Sequence, residues 1–459
     1  MCKRLCIRLL LLSVVAQSMI VVTSLRVPEV DAARVIEGPP FTKLAVGGSH
    51  TCGLSTGNQV FCWGNNEYGQ LGANDTTARR TPAVLSGGIA FRDITAGLNH
   101  TCGLDSSGRA YCWGRNNYRQ LGSGQSTSQV QVPTLVQTSL LFTSIDAGDN
   151  HTCGIGVDDF AYCWGSNESN QIGNGGGGDW GSRADLPVKE GRGLTFSAIS
   201  AGATHTCGIS SQGSQCWGEN TYSESSGSFV NRGLSLSTQV SSGFVSLSAG
   251  RNVSCGINTS STAFCWGRAE YGALGIGTNT GELTSLARAI RTPIAGYVFS
   301  QISVGNYFAC GLTTGRNLLC WGYIPVGDGR YSYFPNPTLL TGTTQFTQID
   351  SGSGDHFCAL AVNQEAFCWG NNNAGQLGDN STTVSRFPEA GAIPSVTTTT
   401  TTTTIAPTTT TSTIPAGGGQ SVKPNKPGSP CGVPGQRRKF GRRTVVCVRQ
   451  NGELRWAYR

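Results

Sequence analysis

The chain has 459 residues, 64 of them Gly, only 13% charged, with a formal net charge of +7. Abundant Gly with scattered aromatic and β-branched residues favours short strands and tight turns over long helices, and the length exceeds one ordinary compact core unless repetition builds it. Ten Lys and Arg lie from Gln420 onward against the single acid Glu453, so the other 419 residues carry 23 bases and 25 acids; a body this close to neutral lacks a basic nucleic-acid-binding patch, and no nucleic-acid partner is expected.

In chain order, the first element is an export signal over residues 1–33. Lys3, Arg4 and Arg8 form a basic head, an apolar run follows from Leu9 to Val22, and Ala32 and Ala33 are plausible cleavage neighbours. The run is interrupted by Ser13, Gln17 and Ser18 and is short for a membrane span. Membrane contact is expected only through this segment, if it stays uncleaved. Either way the rest of the chain is placed outside the cytoplasm, secreted or on the cell surface.

From residue 38 to 396 the chain repeats. Cys-Trp-Gly occurs seven times, with cysteines at Cys62, Cys112, Cys163, Cys216, Cys265, Cys320 and Cys368. Each has an upstream partner: Cys52, Cys102, Cys153, Cys207, Cys255, Cys310 and Cys358. The copies recur every 48 to 55 residues. Self-similarity at this period predicts an all-β, seven-bladed propeller with one blade per repeat. The fuller pattern, as in "ITAGLNHTCGLDSSGRAYCWGRNNYRQLG" (94–122), resembles the regulator of chromosome condensation repeat family, whose members form seven-bladed propellers. The paired cysteines depart from the common family pattern.

Within one copy, alternating runs flank a polar turn, which predicts a β-hairpin with Cys52 opposite Cys62, Leu54 opposite Val60, and Ser55 to Gln59 as the turn. In the copy shortened by one residue, Cys207 still faces Cys216 if the turn tightens around Ser211-Gln212. Directly opposed residues of a non-hydrogen-bonded pair lie about 4.5 Å apart, within disulfide range. One cross-strand disulfide per blade is therefore expected. A zinc site built from His50, Cys52 and Cys62 is the rival, but Val253 and Phe308 replace the histidine in two copies that keep both cysteines. No metal is expected. The five histidines, His50, His100, His151, His205 and His356, read as packed residues hydrogen-bonded to neighbouring backbone. The repeated Trp reads as packing between blades.

"GLSTG" at 53–57 falls in a hairpin turn and lacks the strand–turn–helix context of a nucleophile elbow. "GNGGGG" at 173–178 has no βαβ unit around it. No catalytic residue and no cofactor are expected.

Residues 397–430 are a Thr/Pro/Gly-rich linker that cannot form a core. Beyond it, 431–459 reads as a small β module clasped by Cys431 and Cys447, similar to basic C-terminal modules of secreted bacterial proteins. Its Arg437, Arg438, Lys439, Arg442 and Arg443 suit an anionic wall polymer or acidic lipid. With Cys2 and Cys6 lost in the signal, sixteen cysteines in eight local pairs remain.

Function in a propeller lies in face loops. Three copies lose their regularity at the same point, after Cys-Trp-Gly, and their loops carry Trp180, Tyr222, Tyr323, Tyr331, Tyr333 and Phe334, residue types that anchor interfaces. The expectation is a monomeric binding propeller that recognises an extracellular protein or surface polymer through one face. Secreted relatives of such propellers include enzyme inhibitors. The alternatives are a guanine-nucleotide exchange factor, as in the family prototype, and an extracellular polysaccharide hydrolase or lyase. Asp158, Asp159 and Asp355 break the repeat pattern without forming a pair in sequence.

Overall fold

A computed structural model describes residues 34–36, 38–176, 179, 181–219, 221, 238–241, 243–277, 283–289, 297–327, 330–340, 344–383, 437–440, 443–450 and 453–458. The chain forms two units, Met1–Ser395 and Val396–Arg459. The first is an all-β propeller of seven four-stranded antiparallel blades. In blade one the strands run Phe41–Val46, His50–Ser55, Val60–Gly64 and Arg79–Val84, paired in that order from the axis to the rim. Blade seven takes Phe346–Ser351, His356–Ala361 and Ala366–Gly370 from the end of the repeats, and its outermost strand is Arg34–Val35 from the start of the chain. This pairing closes the ring. Two residues are too few to register as a repeat, so self-similarity does not reveal the closure.

The hairpin register follows the cysteine spacing. Cys52 pairs with Cys62 and Leu54 with Val60. In blade four Cys207 pairs with Cys216 and Ser210 with Gly213, leaving Ser211-Gln212 as a two-residue turn. Gly213 takes a φ of 99°, which the tight turn needs and a side chain would resist. Seven disulfides result, with Cα atoms 4.0–4.1 Å apart. Each closes a short loop, an effect of about 2–3 kcal/mol in the chain-entropy model. Pro82, Pro133 and Pro187 lie within outermost strands, where a missing N–H leaves no ladder bond unmade.

The core consists of seams between blades. Trp113 packs against Leu54, Val60, Leu71 and Leu85 of the preceding blade, and its Nε1 donates to the Gln70 carbonyl at 2.9 Å. Trp63, Trp164 and Trp217 donate likewise to the carbonyls of Gln376, Gln120 and Gln171.

The histidines also bridge seams, but to a side chain and not to backbone as expected. His50 Nε2 lies 2.8 Å from Thr101 Oγ1 of the next blade. Thr101 Oγ1 donates its one proton to the Gln70 carbonyl at 2.8 Å, so the imidazole must be the donor in the first bond. His100–Thr152, His151–Thr206, His205–Ser254 and His356–Thr51 repeat the contact. Complete burial lowers the pKa of His50, His100, His151 and His356 to about 3 and of His205 to about 4, so all five are neutral. An inner-loop glycine makes room for the rings of His50, His100, His151 and His205: a Cβ on Gly47 would lie 2.3 Å from His50 Cε1.

The second unit contains a three-stranded antiparallel sheet, Arg437–Phe440, Arg443–Gln450 and Glu453–Tyr458. Cys447 stands opposite Trp456 in that sheet, and the expected partner Cys431 lies outside the described residues. The export signal and the linker also lie outside them. Among the described residues no helix is long and apolar enough to cross a membrane, and no three His, Cys, Asp or Glu are grouped to hold a metal.

Candidate functional site

In a four-stranded meander, the loop joining the innermost strand to the second (the inner loop) and the loop joining the third to the outermost (the outer loop) emerge on the same face. Most outer loops are held by two buried side chains of the repeat motif. Asn66 donates to the Asp75 and Thr77 carbonyls and accepts from Leu71 N, while Gln70 Oε1 accepts from Tyr68 N. Asn116 with Gln120, and Asn372 with Gln376, do the same in blades two and seven.

Blade five has Ala269 and Ala273 at those positions. Its loop turns through a short 3₁₀ segment, Glu270–Gly272, in which Tyr271 adopts a left-handed φ of 60°. Blade six replaces the loop with a long hairpin, Leu318–Gly327 and Arg330–Leu339, with Tyr323 opposite Tyr333.

These departures converge. Tyr323 and Tyr331 stack at 4.5 Å with planes 6° apart. Tyr271 packs 5.2 Å from Tyr323 and 5.2 Å from Tyr307, a residue of the blade-six inner loop. Tyr331 Oη donates to Asp355 Oδ2 at 3.0 Å, and Asn306 Nδ2 donates to Asp355 Oδ1 at 3.3 Å. Burial, then the Asp355 charge, push Tyr331 up to about 12, so it remains a donor. Tyr271 and Tyr333 stay 38% and 40% exposed at the rim of this cluster. Arg268 lies over Tyr271 and pairs with Glu270. Elsewhere on the face, Arg115 sits over both Tyr68 and Tyr118, at 5.2 and 5.7 Å.

Of the residues singled out in sequence, the structure gathers Tyr323, Tyr331 and Tyr333 in one sector. Phe334 does not join them: alternation turns it to the other side of the hairpin, where it packs against the core of blades six and seven. Trp180 and Tyr222 lie outside the described residues. Asp158 accepts a hydrogen bond from Tyr162 Oη at 2.7 Å, in a turn on the opposite face from Asp355. Sequence reading missed Tyr271 and Tyr307. The available signals were "GNYF" where five of the other copies place a histidine after a small polar residue, and "AEYGALG" without the stapling Asn and Gln.

The axis carries a second feature. One position near the end of each innermost strand reaches across to the next blade. Thr95 Oγ1 accepts from Ala147 N, Asp146 Oδ2 from Ala201 N, and Ser200 Oγ from Ala249 N. Ser248 Oγ accepts from Val304 N, Ser303 Oγ from Ser351 N, and Asp350 Oδ2 from Val46 N. Blade one has Ala45 there, and its seam with blade two carries a Lys43–Asp93 ion pair instead. Burial raises the pKa of Asp146 and lifts Asp350 to about 7, with the backbone N–H bonds opposing it. The repeat pattern hides both aspartates, because Thr and Ser occupy the same position in other copies.

Two repeat models described as regulator of chromosome condensation (RCC1) repeat match the chain, one at 58–104 and 107–155, the other at 41–70, 91–120, 142–171, 196–224, 299–323 and 346–376. The ultraviolet-B receptor UVR8 of Arabidopsis thaliana is 26% identical over 78% of this chain and 83% of its own length. The human E3 ubiquitin-protein ligase HERC2 is 24% identical over 75% of this chain, which spans only 7% of that protein. Yeast RCC1 (Prp20), solved bound to Kap60, superposes with a TM-score of 0.62 at 18% identity, over 78% of this chain and 85% of its own, a likeness of fold alone. Seven concordant blades, the repeat matches and these relatives agree: the chain belongs to the regulator of chromosome condensation repeat family.

Proposed function

We propose that the protein is an extracytoplasmic binding propeller that holds a protein partner against the face formed by its inner and outer loops. The carrying observation is the tyrosine cluster, to which blades five, six and seven all contribute, with exposed Tyr271 and Tyr333 at its rim. Tyrosine and arginine are the residues that most often carry binding energy at protein interfaces. The same face presents Arg115 between two tyrosines. Because Tyr323 and Tyr331 cover one another's ring faces, the cluster suits edge-on packing against a partner better than a stacking platform for a sugar ring.

Seven disulfides fit an oxidising compartment, which disfavours a cytosolic exchange factor. A hydrolase reading is disfavoured as well, since the axial Asp146 and Asp350 already accept backbone N–H bonds across the seams.

The test places a photo-crosslinking amino acid at Tyr333, or at Val157 on the opposite face, in the chain as its own cells export it. Val157 is 65% exposed and serves as the control. Protease-sensitive crosslinked species at 333 and not at 157 are expected. Equal yields at both positions, or protease-resistant adducts, would defeat the protein-partner reading. Alkylation mass spectrometry on the same sample should show thiols only after reduction; thiols open before reduction would remove the extracytoplasmic part.

A further inference from the structure

Two of the seven copies carry an arginine directly after Cys-Trp-Gly: Arg115 in blade two and Arg268 in blade five. Three residues further on stand Tyr118 and Tyr271, and blade one has Tyr68 at the same position. The Arg115 guanidinium lies 5.2 Å from the ring centre of Tyr68, across the seam, and 5.7 Å from that of Tyr118 in its own loop. Rings from two blades therefore flank one cation. Aromatic contact stabilises a cation partly withdrawn from water, but it neither neutralises the charge nor occupies the N–H donors.

The two arginines differ in how that remaining demand is met. Arg268 pairs with Glu270, two residues on. Blade two has Asn117 at the corresponding position, and Arg115 makes no hydrogen bond or ion pair among the described residues. Acids of the flanking blades are engaged elsewhere: Asp75 holds Arg79 at 2.6 Å, and Asp185 lies 3.6 Å from both Arg119 and Arg183. Exposed Glu67, beside Tyr68, forms no ion pair among the described residues. Arg115 is half-buried; its Nε is enclosed, whereas the two terminal nitrogens are not, so the open edge of the guanidinium is the one they form. Two parallel N–H donors on that edge match the two oxygens of a carboxylate. The flanking rings already restrain the side chain, so little rotamer freedom is left to lose on binding. With Arg119 committed to Asp185, the site offers one uncompensated positive charge. A monoanionic carboxylate balances it better than a dianionic phosphate does.

We infer that Arg115 receives the carboxylate of a glutamate or aspartate side chain of the docked protein, held end-on by its two terminal nitrogens between Tyr68 and Tyr118. This rests on the protein-partner reading above and names the chemistry that the partner brings to blades one and two.

The experiment follows the guanidinium signals of Arg115 by NMR in the full exported chain labelled at its arginine nitrogens, with Arg115→Lys for assignment. The probes are blocked Gly-Glu-Gly, blocked Gly-Gln-Gly and inorganic phosphate. A weak but saturable shift with the Glu peptide, absent with the Gln peptide, is expected. Tyr68→Leu should weaken that binding severalfold with the charge left in place; if this variant does not fold, Tyr118→Leu serves. Tyr333→Ala and Glu67→Gln should bind the Glu peptide as the wild type does. In the exporting cells, Arg115→Gln should cut the protein crosslinks at residue 333 severalfold at equal export. Missing crosslinks at 333 in the wild type, together with a saturable Glu-peptide shift, would defeat the partner reading and leave the carboxylate site standing. Equal shifts with both peptides, no shift at all, or a shift seen only in Glu67→Gln overturns the proposal. So does phosphate that acts at lower concentration than the Glu peptide, or crosslinking at 333 undiminished by Arg115→Gln.

Discussion

Blades one to four and blades five to seven use the same hairpin but solve their seams differently. In the first sector, and at the ring closure, an imidazole donates to a hydroxyl of the next blade. Between blades five and six the two positions are Val253 and Ala309, both buried. Between blades six and seven they are Phe308 and Phe357, whose rings lie 5.9 Å apart. Donor and acceptor have vanished together. Physical chemistry explains why: stranding one member of a buried pair costs about 1–3 kcal/mol, whereas replacing both by apolar groups is close to neutral. Blades five and six have also lost the stapled outer loop and, with Asp355 of blade seven, built the tyrosine cluster, while blade seven keeps its staple through Asn372 and Gln376. The apolar seams and the tyrosine cluster therefore lie on the same side of the disc.

Acid should separate the two kinds of seam most strongly. Each histidine has its folded pKa depressed from 6.5 to about 3, or about 4 for His205. Its stabilisation is therefore complete above pH 6.5 and is lost as pH falls toward the folded pKa. Between pH 7 and 5 the loss is about 2 kcal/mol for each histidine. Asp350, raised to about 7, runs the other way and gains stability over that interval, so it offsets part of the loss. Denaturant unfolding at both pH values should show a clear net destabilisation; an unchanged midpoint would contradict the buried-imidazole account.

A smaller effect tests the coupling itself. Thr152→Ala leaves the buried His100 Nε2–H without its acceptor, while the Gln120 carbonyl keeps its bond from Trp164 Nε1, and should cost about 1–3 kcal/mol. The double variant His100→Val/Thr152→Ala, which copies the seam of blades five and six, should cost only about 1 kcal/mol. If the double is as damaging as the sum of its singles, the paired replacement is coincidence. In the divergent sector, Tyr331→Phe removes the donor to Asp355 and should lower stability by about 1 kcal/mol, with the stack against Tyr323 preserved. The smallest change expected is a gain: Ala45→Ser supplies the cross-seam acceptor that blade one lacks, worth about 0.5–1 kcal/mol by thermal melt.

The fold was legible because its signals are local and repeated. Cys-x₉-Cys with a polar middle fixes a hairpin register by chain geometry alone, and seven copies at one period leave few architectures. The order of strands in a blade follows from the same short connections. The candidate site was legible only in part. Tyr323, Tyr331 and Tyr333 stood out because their loop abandoned the motif, whereas Phe334 could not be told from them until the hairpin's alternation set its direction.

Sequence by itself therefore determined the blade, its disulfide and the number of copies, all of which depend on residues within about fifty positions of one another. Tertiary structure decided what lies across the seams: the hydroxyl that each histidine meets, the aspartates that brace neighbouring blades, the meeting of Tyr271 with Tyr323, and the closure of blade seven by Arg34–Val35. Those contacts join residues some fifty to three hundred positions apart, and no periodicity along the chain reports the distance between them. They exist only once the ring has closed.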